Sequence, residues 1–163
     1  ILRETFTLYE TCLPKVNAPV RLAMKWLDGE EFSQNLNKFI KPLLIKGAPS
    51  VIQDLKEFYG NAEKVALIEK LLFSYLEQMN ASSILEKDDK DEQDPTVLLW
   101  LLYFISHHYL FKKDVENALK YVNQAIEHTP TLIDNYTLKG KIMQIAGNRT
   151  EAARLFEEAR VLD

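Results

Sequence analysis

The chain has little of what a chemically active or covalently braced protein uses. It contains a single cysteine, Cys12. A disulfide framework is therefore excluded, and a reducing, cytoplasmic setting is the simplest expectation. Cys12 reads as an ordinary buried thiol rather than a redox group. Five glycines and six prolines occur, and no two glycines lie close enough to build a phosphate-cradling loop. HExxH, CxxC, GxSxG and Walker patterns are all missing, so no catalytic residue is assigned and no cofactor is expected. No apolar run reaches the length of a membrane span, and no leader peptide is visible. The longest such run, Val97 to Leu110, is interrupted by Ser106, His107 and His108. Asn80-Ala81-Ser82, Asn135-Tyr136-Thr137 and Asn148-Arg149-Thr150 match the glycosylation triplet. Without a sign of secretion they read as chance.

What is present is the composition of a globular domain. Of 163 residues, 47% are hydrophobic, enough to bury a core, and 27% are charged with mixed sign. Twenty basic against twenty-four acidic residues give a net charge of −4. That argues against a DNA-binding or anionic-membrane surface spread over the chain. The sequence begins at Ile1 and starts and ends inside helical patterns, as expected of a fragment of something longer.

Glycine and proline fall mostly between blocks of helical periodicity, and strand signals are nearly absent. Ile1 to Thr11 reads as the end of a helix, Pro14 and Pro19 as brackets of a loop, and Val20 to Leu27 as a short apolar helix. Asp28 is placed to cap the next block, where Phe32, Leu36, Phe39, Ile40 and Leu43 share one face. Pro42 should kink that helix or end it early. Ser50 opens a helix bearing Val51, Leu55, Phe58 and Tyr59, and a long helix carries Val65, Ile68, Leu72, Tyr75, Leu76 and Met79. The acidic stretch from Glu86 to Asp94 reads as a solvated loop. Its carboxylates are suitable calcium ligands, but EF-hand spacing and the loop glycine are missing, so no metal site is assigned. Asp94-Pro95 then supplies a cap and a first-turn proline.

From Pro95 two helical hairpins follow each other at an offset of about 34 residues, the tetratricopeptide period. Ala118 aligns with Ala152, Ala125 with Ala159, Ser106 with Gly140, Val122 with Phe156, Tyr109 with Met143 and Leu102 with Tyr136. The residue sizes have a physical reason. Small Ser106 and Gly140 sit where helix A meets helix B, and Ala118 and Ala152 face them, so the axes can close to about 8–10 Å. Val122 and Phe156 fill the space below, and Ala125 and Ala159 let the next hairpin stack. Pro130 ends the first helix B, and Gly147-Asn148 turns the second hairpin as Lys112-Lys113-Asp114 turns the first. The expectation is an all-α, tetratricopeptide-like helical-hairpin solenoid, a segment of right-handed superhelix. Residues 1–94 form degenerate repeats ending in the acidic loop, and residues 95–163 form the two regular hairpins.

Such solenoids hold partners on the face made by their A helices. The residues expected there are Trp100, Tyr103, His107 and Leu110 in one hairpin and Asp134, Thr137, Lys141 and Gln144 in the next. The first set suits packing on the preceding helices as well as partner contact. The basic and asparagine constellation that clamps a C-terminal carboxylate in chaperone-binding repeats is missing from these positions. His107 and His108 are adjacent, about 100° apart around a helix, and cannot easily share a metal. His128 sits at a helix end, where a cation suits the dipole.

Two segments go beyond generic repeat consensus. The run Arg21-Leu22-Ala23-Met24-Lys25-Trp26-Leu27-Asp28-Gly29-Glu30-Glu31-Phe32 is one. Lys46-Gly47-Ala48-Pro49-Ser50, followed by Leu55-Lys56 and Phe58-Tyr59, is the other. Both resemble the large auxiliary subunit of the N-terminal acetyltransferase A complex, as do Glu116 to Asp134 and Ala146-Gly147-Asn148 with Glu151-Ala152-Ala153-Arg154. Ala23, where the family usually has proline, and the acidic loop depart from it. The resemblance implies a non-catalytic scaffold that wraps the catalytic acetyltransferase subunit and tethers it to the ribosome, with acetyl-CoA on the partner. It also implies an inositol phosphate near the subunit interface, for which no matching basic cluster stands out. The alternative is a free-standing adaptor binding a peptide in its groove.

Overall fold

A computed structural model describes residues 2–12, 17–82 and 96–162. Among them are only helices and turns: α1 (Leu2–Cys12), α2 (Asn17–Ala23), α3 (Gly29–Ile45), α4 (Val51–Leu55), a 3-10 helix (Lys56–Gly60), α5 (Ala62–Ser82), α6 (Thr96–Phe111), α7 (Val115–His128), α8 (Ile133–Ile145) and α9 (Arg149–Leu162). They pack as two compact units, Ile1–Leu71 and Leu72–Asp163, with the division inside α5. The acidic stretch and Asp94-Pro95 lie outside the described residues. The end of α5 belongs with the second unit because Phe73 packs edge-on against both Tyr109 and Tyr121, at 6.4 and 6.0 Å between centroids.

In the first unit the apolar face of α3 supplies the core. Phe32, Leu36, Phe39, Ile40 and Leu44 are buried, and Leu43 only partly so. Val51, Ile52, Leu55 and Phe58 close over it, with Phe32 and Phe58 edge-on at 5.4 Å. Beneath them lies a lysine. Lys64 is 6% exposed, and its Nζ donates to the Met24 carbonyl at 3.0 Å. It also meets the Asp28 carboxylate at 3.3 Å and stands over the Phe32 and Phe58 rings. A buried ammonium is costly unless paired; here two carbonyls, a carboxylate and two ring faces receive it. Asp28 occupies the N-cap position of α3, yet its side chain makes no capping bond. The lysine draws that carboxylate instead of the helix amides.

Three local expectations change. Pro19 lies in the opening turn of α2 rather than in a loop, because a first-turn proline loses no helical hydrogen bond. Helix α3 runs on past Pro42 to Ile45. Proline there removes a single bond, and the end of the helix is secured by Lys46 N–H to Pro42 O, Gly47 N–H to Leu44 O and Ala48 N–H to Leu43 O. Cys12 is exposed rather than buried, like the other α1 side chains described (Glu4, Thr5, Thr7, Leu8 and Thr11).

In the second unit α6 pairs with α7 and α8 with α9, while α8 packs on α7 and touches α6. Both hairpin turns have the same backbone. Lys113 N–H bonds Leu110 O and Asp114 N–H bonds Tyr109 O; Gly147 N–H bonds Gln144 O and Asn148 N–H bonds Met143 O. This is the Schellman closure, which needs a left-handed residue after the helix cap. Gly147 takes it at φ +84°, but Lys113 takes it at φ +61° with a β-carbon. The residue after each starts helix B: Asp114 Oδ1 accepts from Asn117 N–H, and Asn148 Oδ1 from Glu151 N–H. The Asn117 bonds hold the Asp114 carboxyl below its ordinary pKa.

The left-handed position makes an opposed pair of predictions. A left-handed L-residue costs about 1–2 kcal/mol, against about 0.5–1 kcal/mol for the extra freedom glycine loses. Lys113→Gly should therefore stabilise, and Gly147→Ala should destabilise, by roughly 0.5–1 kcal/mol each. Urea unfolding checks both; a loss of stability in Lys113→Gly would contradict the turn assignment.

Candidate partner-binding face

The joint inside each hairpin sets which side chains the A helices present. In the first, Ser106 is fully buried and its Oγ donates to Ala118 O at 2.9 Å. In the second, a β-carbon added to Gly140 would stand 2.7 Å from the Phe156 ring. Ala118, Ala125, Ala152 and Ala159 are all buried. Phe156 fills its space only in part: it lies on Gly140 yet remains 37% exposed, whereas its counterpart Val122 is fully covered. Pro130 is exposed after α7, and its carbonyl accepts from the Tyr136 hydroxyl at 2.8 Å. Asn135 is fully buried, so its amide is not open to glycosylation.

With Ser106 turned toward α7, a second face of α6 carries Trp100, Tyr103, His107 and Phe111 at helical spacing. Their rings form a ladder: Trp100 to Tyr103 at 5.5 Å, Tyr103 to His107 at 4.7 Å, and His107 to Phe111 at 5.6 Å. From α8, Asp134 acts electrostatically on Tyr103 and Lys141 on His107. The structure thus brings Trp100, Tyr103 and His107 together on α6, and α8, which carries Asp134 and Lys141, touches that helix. It does not leave them equally open. Tyr103 and His107 are 8% and 2% exposed. Leu110 is buried, Trp100, Asp134 and Thr137 are half-buried, and Lys141 and Gln144 are exposed.

Burial first, and the Asp134 carboxylate second, push the Tyr103 phenol up to about 12. Burial, with the Lys141 ammonium, lowers His107 to about 4. Among the described residues neither His107 ring nitrogen has a hydrogen-bond partner, nor does either side-chain polar atom of Asn135. These two side chains support the face from within and cannot touch a partner directly. His108 is also fully buried and turns its ring to Tyr109. No group of three or more His, Cys, Asp or Glu among the described residues could hold a metal, and no described helix is long and apolar enough to cross a membrane.

A neutral buried histidine makes stability depend on pH. The folded value of about 4 lies below the ordinary 6.5, so the unfolded chain takes up the proton first. Stability is then complete above pH 6.5 and falls toward pH 4, by about 3 kcal/mol in all. His107→Phe should remove most of that acid limb in urea titrations at a series of pH values. An unchanged slope in the variant would show that His107 is not the titrating group.

Comparison with known proteins accords with this fold and with the motifs around Arg21 and Lys46. Residues 2–163 match the family described as N-terminal acetyltransferase A, auxiliary subunit. The human N-alpha-acetyltransferase 16, NatA auxiliary subunit, is 36% identical over 166 residues, covering 99% of this chain and 19% of that protein. The Arabidopsis thaliana N-terminal acetyltransferase A complex auxiliary subunit NAA15 is 37% identical over 147 residues, covering 90% and 16%. A chain from the structure of Naa15/Naa10 bound to HypK-THB superposes with a TM-score of 0.86 at 26% identity, over 98% of this chain and 23% of that one. The chain therefore spans roughly a fifth of the length of the curated relatives it matches, and by its hairpins, its motifs and these matches it belongs to the auxiliary-subunit family of N-terminal acetyltransferase A.

Proposed function

We propose that this chain is part of a non-catalytic scaffold that binds and positions the catalytic subunit of a ribosome-associated, cytoplasmic N-terminal protein acetyltransferase. The observation that carries the reading is the structural likeness to a relative solved together with Naa10. The residues fit a holding role. The A-helix face offers Trp100, Asp134, Thr137, Lys141 and Gln144 at its surface, while Tyr103 and His107 stiffen it from beneath. A rigid aromatic base lowers the ordering cost of association. In this reading acetyl-CoA and the chemistry belong to the partner, and the ribosome is engaged through the full-length protein. An adaptor with an open peptide groove is less well supported, because Tyr103, His107 and Leu110 are covered.

The full-length protein should co-purify with a subunit that transfers acetyl groups to N-terminal peptides, and its depletion should lower N-terminal acetylation of nascent proteins. A full-length chain that recovers no acetyltransferase would contradict the proposal.

A further inference from the structure

Lys64 sits where helix electrostatics disfavours a lysine. It lies in the first turn of α5, which Asn61 caps by accepting at Oδ1 from the Glu63 and Lys64 N–H groups at 3.0 and 3.2 Å. A cation there has the wrong sign for the helix dipole, so the residue does not serve α5. Burial sets it apart as well. Lys112 and Lys120 also stand over rings, those of Tyr109 and Tyr121, but both are exposed, whereas Lys64 is buried. Three oxygens surround its nitrogen: Met24 O at 3.0 Å, Lys25 O at 3.4 Å and Asp28 Oδ1 at 3.3 Å. The Phe32 and Phe58 ring centroids lie 4.9 and 5.6 Å away. A primary ammonium is a compact charge with three N–H donors, so three acceptors and two ring faces match it. A guanidinium, flat and with five donors in a fork, fits such a site poorly. The Asp28 side chain is 70% exposed, so the site opens to solvent on that side.

We propose that the Met24–Asp28 turn, with Phe32 and Phe58, is a receptor for a primary alkylammonium, and that Lys64 is its built-in ligand. Occupied, the receptor ties the turn to α5. Empty, it leaves the turn loose and returns the Asp28 carboxylate to the α3 cap. The latch also fixes where the exposed Trp26 ring stands. It belongs to this chain alone and holds whether or not the scaffold reading does.

The test follows hydrogen exchange at residues 24–28 in the full-length protein. Lys64→Met keeps an apolar stem without the charge. It should speed exchange of these amides about tenfold or more, while the later turns of α3 and α5 change by less than about twofold. Lys64→Ala should loosen the turn in the same way, and propylammonium chloride at about 50 mM should restore most of the lost protection by taking the vacated place. Tetramethylammonium, which has no N–H donor, and propanol, which has no charge, should not restore it. Lys64→Met, with its stem still in the site, should not respond to propylammonium. Exchange in Lys64→Met within about twofold of the unsubstituted protein would overturn the proposal. So would a folded Lys64→Ala that ignores propylammonium or responds equally to all three additives. Should Lys64→Ala fail to fold, Lys64→Met decides by the same threshold.

Discussion

The second unit depends on how closely helix A can approach helix B. Side chains at the crossing set the distance between helix axes, and here the A helix contributes a serine or a glycine. Ser106 reaches across to the Ala118 carbonyl, and Gly140 admits the Phe156 ring. The turns between the paired helices share one closure, the Schellman pattern of backbone bonds at Lys113 and Gly147. With Ser106 committed to its joint, the aromatic ladder occupies a second face of α6, and α8 touches the same helix. Partner contact, where it occurs, inherits its geometry from packing elsewhere in the hairpin.

The first unit achieves definition by a different route. Its turn from Met24 to Asp28 has no hairpin partner to set it. A buried lysine from α5 does so by bonding the Met24 and Lys25 carbonyls and pairing with Asp28. Two surface ion pairs, Arg21 with Asp54 and Lys25 with Glu57, add α4 and the 3-10 helix to the same neighbourhood. Exposed pairs contribute little singly, so Lys64 carries most of the order. That segment is also one of the two stretches that separate this family from generic repeats, which fits a role in shape rather than in chemistry.

The repeat was legible in the sequence because size rules act at many positions at once, and a helix-forming chain satisfies them twice only by being two hairpins. The same reasoning placed Trp100, Tyr103 and His107 on one face with Asp134 and Lys141. It could not tell how deeply each is covered, since depth depends on neighbours distant in sequence. The role of Lys64 is not legible locally, because a lone lysine in a helical block ordinarily faces water and nothing in sequence marks the carbonyls that receive it. Asp28 takes the N-cap position the sequence assigns it, but a capping position does not reveal the cation that competes for its carboxylate. Pro42 and Cys12 depended on how a helix ends and which side it shows, which periodicity alone leaves open.

The central claim is that the Ser106–Ala118 and Gly140–Phe156 contacts are two versions of one joint. A double-mutant cycle tests it most directly. Gly140→Ser should clash with the Phe156 ring and destabilise, and Phe156→Val should loosen the hairpin. Together they rebuild the first joint in the second hairpin, with a serine hydroxyl facing the Ala152 carbonyl, and should recover stability with a coupling of about 0.5–3 kcal/mol. Additive losses, agreeing within about 0.3 kcal/mol, would mean the two residues do not share a joint and would contradict the account.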